Sequence, residues 1–569
     1  MASTVHRPLS ETDPKVHARR WWILGVLCLS LVIVFVGNTS LNVVIPTLSR
    51  ELGATDSQLQ WIVAAYSLVF AGLLFTTGAL GDRFGRKGAM QFGLVVFLLG
   101  TLAGALATSM AQLIATRALM GVGAAFIMPS TLSILVNVFN DDERERAIAI
   151  WASLLGAAAI IGSVASGWLI DHFWYGSVFL VNVPFVIVAL VLGFILLPKS
   201  RDPEEAPLDP IGAVLSIIGI TALVYGLIEG PDKGWTSTVT LISFGVAAVG
   251  IALFAWWELH HDEPMLDMHY FRNPAFSTGT GGMILVFLAL SGVFFLMTQY
   301  FQLVLGYSAL SASVRFMPVA LIILLLSPRT PWFTNRFGVR ATVTVGLGLV
   351  ACSLLMILAL HVDAAYWQAL LTIVPLAIGL SLSMSPMTAS IMSAVPDRRA
   401  GAGSATNDAT RELGAALGVA ILGSIAASVY RNSLSPTMKT LPASIDERAG
   451  SSLAGAAQAA TGLSSADAQA LIVHAKQAFV DSMHVAALVG GALAIIAVVA
   501  AFRFLPRELP EESALDAPRH SFEVSVGLLG GMIPATAEDL HRAEHARESA
   551  ELDAELDAEL DVLPGDRPA

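Results

Sequence analysis

The sequence predicts an all-α multispanning membrane protein with two six-helix halves and a two-helix insert, giving 14 transmembrane helices. Three observations predict it. The 569 residues are 55% apolar and only 13% charged, whereas a soluble domain carries roughly 25% charged residues. The mean hydropathy is +0.70, and the apolar residues form separate runs of the length that crosses a bilayer. A charged hairpin between two such runs also recurs, in altered form, 253 residues later.

Fourteen apolar runs are long enough to span hydrocarbon as helices, which satisfy their own backbone hydrogen bonds there. They lie at 21–47, 58–80, 89–109, 112–137, 148–170, 177–197, 211–229, 238–258, 276–301, 309–327, 341–361, 366–394, 408–430 and 484–505. Lys and Arg collect in alternate connections, among them Arg19, Arg20 and the cluster at 83–87. Because cytoplasmic loops carry the excess of Lys and Arg, both termini are expected in the cytoplasm and the chain in the inner membrane.

The repeated hairpin sets the predicted domain boundaries. GDRFGRK at 81–87 follows the second run, and TNRFGVR at 334–340 follows the tenth and keeps Arg, Phe, Gly and a final cation. If both follow the second helix of a half, runs 7 and 8 form an insert between two parallel halves. The boundaries are a cytoplasmic segment 1–20, a first half 21–197, an insert with its flanking loop 198–262, a second half 263–505 with a long outer loop 431–483, and an acidic cytoplasmic tail 506–569.

The tail explains the net charge. From Glu508 onwards the chain has 16 acids and 4 bases, so the formal charge of −12 resides there. The repeat ELDAELDAELD at 551–561 spaces leucines four residues apart, as a short docking helix would. Its dense acids repel one another, which favours partial disorder.

The hairpin region GALGDRFGRKG at 78–88 resembles the loop 2–3 signature of the major facilitator superfamily. The matching gating or latch residues are Gly78, Asp82, Arg83, Gly85, Arg86 and Lys87. The resemblance implies a latch on the cytoplasmic face that breaks as the two halves rock. The alternative is a positively charged loop that only fixes the topology.

Other stretches resemble the 14-span drug:proton antiporter (multidrug efflux) branch of that family. LIATRALMGVGAA at 113–125 is similar to its helix-4 signature, with Arg117, Gly121 and Gly123 matching. An arginine inside an apolar span is costly and functional by default, although one near a span end can extend to the interface instead. GSVASG at 162–167 keeps Gly162 and Gly167 of the helix-5 signature, but Ser163 replaces its proline.

The sequence departs from this branch where relatives carry acids. The acidic position of span 1 is Gly37, and that of span 2 is Ala64. The proton-coupling candidates that remain are Asp408 and Glu412, which share one face of span 13, and Glu229. An acid in the first turn of a helix can instead serve only as a partner of the helix dipole.

Asn38 and Asn42 share one face of span 1 and are candidates to line a substrate pocket, since amides facing lipid would be unsatisfied. Trp61, Tyr66 and Tyr225 are the aromatic candidates, with plain packing as the alternative. Such a pocket suits bulky amphipathic or cationic molecules.

The predicted function is a secondary active transporter that exports drug-like compounds by alternating access, coupled to protons. The alternatives are an exporter of an endogenous metabolite or lipid, or a scaffold or sensor that does not transport because its acids are missing. The expected partners are a small-molecule substrate, protons and membrane lipid. The sequence indicates no catalytic residues, cofactor, metal ligands, nucleic acid or ATP, and it implies no oligomer.

Overall fold

The computed structural model describes residues 13–199, 208–395, 400–438 and 449–507, and these ranges contain helices and no β-strand. Residues 1–12 of the predicted N-terminal segment and the acidic tail from 508 lie outside the described residues. The predicted all-α architecture is confirmed.

Fifteen α-helices follow one another along the described chain, and a 3₁₀-helix, Met268–Arg272, lies between the eighth and the ninth. Helices α1 to α8 are Pro14–Leu52, Asp56–Phe84, Arg86–Leu106, Met110–Val138, Asp141–His172, Ser177–Leu196 (interrupted at Val181), Pro210–Lys233 and Thr238–His260. Helices α9 to α15 are Pro274–Val304, Ala309–Phe337, Val339–Ala359, Tyr366–Met392, Ala400–Met438, Leu453–Ala460 and Ser465–Phe504. The last turn of α9, Tyr300–Val304, is a π-helix.

Thirteen of these helices are long and apolar enough to cross a membrane, counted over the described residues. They correspond to every predicted span except the fifth. That span lies in the 32-residue helix α5, which is not among the thirteen. The count of 14 therefore stays a prediction.

Local sequence explains where the helices begin and end. Thr55 and Gln58 form a capping box that starts α2, and such a box satisfies two of the free amides of a helix N-terminus. Gly85 ends α2 with φ 117°, a backbone conformation that only glycine adopts without strain. The chain therefore reverses into α3 at a single residue.

The helices pack in two groups that meet at four helix pairs. Helices α1–α6 pack on one another, as do α9–α13 and α15, and the groups meet where α2 packs on α13, α5 on α10, and α1 on α9 and α10. Helix α7 of the insert packs on both α2 and α13. We call the end of the bundle that holds the α1–α2 turn the distal end, and the end that holds the α2–α3 turn the proximal end.

The predicted outer loop 431–483 is largely helical in its described residues. Helix α13 continues to Met438, α14 covers Leu453–Ala460, and α15 starts at Ser465. The side chain of Ser464 accepts a hydrogen bond from the Asp467 amide and so caps α15. Hydropathy missed these turns because capping, alanine content and packing stabilise them, rather than an apolar surface.

Candidate transport site

Arg117 of α4 is fully buried. Its Nη1 donates to the carbonyl oxygen of Gly37 at 3.0 Å and its Nε to that of Ile62 at 3.2 Å. The guanidinium lies 4.4 Å from the ring centroid of Tyr66. Neighbouring helix backbones therefore hold the guanidinium of Arg117 inside the bundle, away from its surface.

Glu412 of α13 faces this arginine from the other helix group. The hydroxyl of Ser67 on α2 interacts with its carboxylate. The unfavourable charge of Asp408 and the favourable charges of Arg117 and Arg411 also act on it. Glu412 Oε2, Arg117 Nη2 and the Tyr66 hydroxyl are buried without a hydrogen-bond partner in the described chain. The structure thus brings together three predicted residues, Arg117, Tyr66 and Glu412, where the groups meet.

Asp408 lies one turn before Glu412 on the same helix. Its Oδ1 is 3.6 Å from Arg411 Nη1, and both side chains are about one quarter exposed. The Arg411 guanidinium in turn lies 5.8 Å from the ring centroid of Phe287 on α9. Asp408 therefore has a cation on its own helix, whereas Glu412 is directed towards α2 and α4.

The two positions that lack the expected acids are tightly packed. A Cβ at Gly37 would lie 2.9 Å from Phe97 Cζ, so a larger residue requires that ring to move. Ala64 is fully buried in an apolar cluster with Ala416 and Ala420 of α13 and Val224 of α7. The α2–α13 contact is thus apolar around position 64.

Trp61, Tyr225 and Glu229 form one cluster with Lys233 near the distal end. Trp61 Nε1 donates to Glu229 Oε1 at 2.9 Å, and Lys233 Nζ lies 3.0 Å from Glu229 Oε2. Lys233 also donates to the Tyr225 hydroxyl at 2.5 Å. These predicted residues do come together, but as a set of mutual contacts between α2 and α7.

Asn38 and Asn42 are half-buried, and neither side-chain amide forms a hydrogen bond within the described chain. The next residue, Val43, accepts a hydrogen bond through its carbonyl from Gln302 Nε2 at 3.1 Å. Gln302 belongs to the π-helical turn of α9. The two amides therefore lie on the helix of the first group that contacts α9.

The signature glycines are sites of close helix contact. A Cβ at Gly121 would be 2.6 Å from the Tyr66 carbonyl oxygen, and one at Gly123 would be 2.7 Å from that of Gly93. A Cβ at Gly162 would meet Thr39 Oγ1 at 2.5 Å, and one at Gly167 would meet Leu310 Cα at 2.8 Å. Gly167 thus lets α5 approach α10 of the other group.

Ser163, next to Gly162, is half-buried. The side chain of this serine forms no hydrogen bond or ion pair within the part of the chain that the structure describes.

The hairpin residues lie at the proximal end. Asp82 Oδ1 accepts from Arg86 Nε at 2.6 Å, and the Arg83 guanidinium lies 5.7 Å from the Phe84 ring centroid. Lys87 Nζ donates to the carbonyl oxygen of Leu197, just after α6, at 2.7 Å. Gly78 packs on Pro129 of α4, 3.6 Å from a Cβ built there.

The second hairpin has the same cap. Gly338 has φ 84° between α10 and α11, and Arg340 Nε donates to the carbonyl oxygen of Leu505, just after α15, at 2.6 Å. Lys87 and Arg340 are the final cations of the two aligned hairpins. Each therefore binds the C-terminal end of the last long helix of its own group.

Several polar contacts between the groups were not predicted. Asp171 Oδ1 and Oδ2 accept from the amides of Ala309 and Leu310 at 3.1 and 3.2 Å, at the N-terminus of α10. Ser424 donates to Gln60 Oε1 at 3.0 Å. No spacing within one helix points to these pairs, because each partner comes from a distant helix.

Asp232 of α7 also joins the two groups. Its Oδ2 accepts from Ser57 Oγ of α2 at 2.6 Å, and its Oδ1 pairs with Arg431 of α13. Arg431 Nη1 donates to the Pro231 carbonyl oxygen at 2.8 Å. The distal end of the insert is thus fixed to both groups.

The described residues hold no group of three His, Cys, Asp or Glu side chains placed to bind a metal ion. The long apolar helices and their packing in two groups define a multi-pass helical membrane protein.

Comparison with known proteins gives the family. The sequence model of the Major Facilitator Superfamily matches residues 27–419, and the chain belongs to this family. It is 34% identical over 489 residues to the multidrug efflux pump LfrA of Mycolicibacterium smegmatis, covering 86% of this chain and 97% of the relative. It is 33% identical to the methyl viologen resistance protein SmvA of Salmonella typhimurium, covering 84% and 97%.

A third relative and a solved structure are also similar to this chain. The tetracenomycin C resistance and export protein of Streptomyces glaucescens is 30% identical, covering 90% of this chain and 96% of the relative. A bacterial homologue of the human lysosomal transporter Spinster, in an inward-facing and unoccupied conformation, matches with a TM-score of 0.59 at 17% identity, covering 86% and 98%. At this level of identity, the similarity to the solved structure shows the fold alone.

Proposed function

We propose that this chain is a secondary active transporter of the cytoplasmic membrane that exports drug-like amphipathic or cationic compounds by alternating access, driven by protons. The observation that carries the proposal is the buried Arg117–Glu412 cluster at the contact of α2 and α4 with α13. The names of LfrA, SmvA and the tetracenomycin C exporter support drugs as substrates. Both termini are proposed to be cytoplasmic, so the distal end faces outward.

The charge balance of the cluster provides the coupling. Ionised Glu412 attracts Arg117 across the boundary between the helix groups, which favours contact of α13 with α2 and α4. Protonated Glu412 loses that attraction, so the two groups separate more easily.

Glu412 takes the place of the acid that the resemblance expects at position 37. The Gly37 carbonyl oxygen lies 3.0 Å from Arg117 Nη1, so an aspartate at this position would carry its carboxylate close to the same arginine. In this chain the negative partner is proposed to come from the opposite helix group instead. The coupling proton would then move with α13.

The substrate is proposed to bind between the helix groups near Asn38 and Asn42, which are half-buried and keep their amides available. The acids Asp408 and Glu412 on α13 favour a cationic group in the compound. Trp61, Tyr225 and Glu229 already contact Lys233, and their proposed role is to hold α7 on α2. The residues Gly78, Asp82, Arg83, Gly85, Arg86 and Lys87 are proposed as the proximal latch.

The test is uptake of a cationic dye into everted vesicles, whose outer surface is the cytoplasmic face, with and without an uncoupler. A proton moving down 100 mV supplies about 2.3 kcal/mol, but a monovalent cationic dye that leaves against the same potential costs the same amount. A one-for-one exchange is therefore electroneutral, and a pH difference of one unit supports a dye gradient of about tenfold. Glu412→Gln should remove uphill uptake and leave downhill dye exchange, which needs no proton. Asp481→Asn, an acid on α15 that accepts from Gln477 of its own helix, is the matched control and should transport normally.

A second experiment moves the acidic side chain from position 412 to position 37. In a Gly37→Asp/Phe97→Ala/Glu412→Gln variant, the Phe97 change makes room for the new carboxylate beside Arg117. We expect part of the uphill transport to return. Full uphill transport by Glu412→Gln alone would refute its role, and Asp408→Asn would then be the variant to measure. Wild-type protein that moves no dye under any gradient would favour the scaffold or sensor instead.

A further inference from the structure

Two buried carboxyl groups face each other in the insert. Asp209 precedes α7 and Glu258 lies in the last turn of α8, and they are 7% and 1% exposed. Along α7 they are roughly 30 Å from Glu229, at the other end of the helix. They belong neither to the Arg117–Glu412 cluster nor to the hairpin.

Three N–H groups donate hydrogen bonds to two of the four carboxyl oxygens of this pair. Asp209 Oδ1 accepts from the Gly212 amide at 2.8 Å and from Trp257 Nε1 at 3.0 Å. Glu258 Oε2 accepts from the Leu266 amide at 2.9 Å. Asp209 Oδ2 and Glu258 Oε1 are buried without a hydrogen-bond donor among the described residues.

These two remaining oxygens lie on either side of one small space. A Cβ built on Gly212 would be 2.5 Å from Glu258 Oε1 and closer still to Asp209 Oδ2. Two buried carboxylates cannot both stay charged at such separation without a cation or a proton between them. The other charge that acts on Glu258 is Asp267, also an acid, which lies 2.9 Å from His269 Nδ1.

No cation within the described chain faces the pair. Of the nearby histidines, His260 Nδ1 contacts the Trp256 carbonyl oxygen, and the His261 ring stacks on Trp257. Asp209 caps the N-terminus of α7, where a negative charge is favoured. The charge therefore belongs on Asp209 and the proton on Glu258.

We propose that Asp209 and Glu258 form a one-proton site, in which protonated Glu258 Oε1 donates to Asp209 Oδ2. The site fastens the start of α7 and the end of α8 to the segment that leads into α9. Loss of the proton leaves two facing charges, which push the carboxyl groups apart and release the Leu266 amide. This proposal does not depend on the proposed function.

Infrared spectroscopy of the purified full-length chain at neutral pH tests the site directly. The C=O band of a protonated carboxyl should be present in the wild type and be lost in both Asp209→Asn and Glu258→Gln. The measurement uses an Asp56→Asn/Asp408→Asn/Glu412→Gln background, so that these other buried acids do not contribute. Gly212→Ala should also remove the band, because its Cβ separates two carboxyl groups that are otherwise retained.

Hydrogen–deuterium exchange of the 261–267 segment tests the fastening. After correction for intrinsic rates, exchange in the wild type should speed up as the pH rises, whereas the Asp209→Asn/Glu258→Gln double variant, which keeps an amide–amide hydrogen bond, should show no such change. A band that survives in both single variants would overturn the proposal. Stabilisation of the wild type, but not of the double variant, by Na⁺, K⁺ or Ca²⁺ would also overturn it, because a cation would then occupy the space.

Discussion

Replacing Asp171 with asparagine should shift the balance between conformations. The carboxylate accepts two amide hydrogen bonds at the N-terminus of α10, and it comes from α5 of the other helix group. The substituted amide keeps one acceptor oxygen, loses the charge and turns an NH₂ towards a backbone N–H. A charge at an exposed helix N-terminus contributes up to about 1 kcal/mol. If this contact forms only when the distal end is closed, the closed population should fall about fivefold relative to the open one.

Distances between spin labels measure this shift. Labels at Glu51→Cys and Ala466→Cys lie on exposed positions at the distal ends of α1 and α15, on a background without the two native cysteines. We expect a larger long-distance population in Asp171→Asn than in wild type, and no such increase in the control Asp481→Asn. Identical distance distributions in all three proteins would show that the Asp171 contact does not hold the distal end closed.

Three further predictions concern packing and the proximal hairpins. Gly121→Ala brings a Cβ to 2.6 Å from a backbone oxygen and should lower stability by about 1–3 kcal/mol. The control Gly281→Ala, whose Cβ would have nothing within 4 Å, should be neutral or stabilising by up to about 1 kcal/mol. Equal melting temperatures of the two variants in detergent would contradict the packing argument. Asp82→Asn should insert normally but transport dye more slowly, and an unchanged rate would reduce the hairpin to a topology signal. Lys87→Met and Arg340→Met should each lower the melting temperature, and their effects should add because the sites are far apart; the absence of any change in both would mean that the carbonyl caps contribute nothing.

Hydropathy and motif spacing predicted most of the helical fold. Thirteen of the fourteen predicted spans correspond to helices that meet the length and apolarity required, because each helix must satisfy this requirement on its own. The same reasoning predicted a functional role for Arg117, since a buried guanidinium needs a compensating environment. Glu412 was predicted as a proton-coupling candidate because few acids are left within the spans.

Contacts between helices could not be read from the sequence. Asp171 and Asp232 acquire their partners from a helix distant in the chain, and the Asp209–Glu258 pair joins the start of one helix to the end of the next. Periodicity reports which residues share a face of one helix, but not which helix covers that face. The role of α7 between α2 and α13 was hidden for the same reason.

The two capping cations have a mechanical consequence. Lys87 joins the start of α3 to the end of α6, and Arg340 joins the start of α11 to the end of α15. Each group is therefore closed into a ring at its proximal end, so a force applied to one helix is shared by the others. If the two groups rock as whole bodies, as the proposed alternating access requires, the flexible joints must lie between them, where α7 is attached to both.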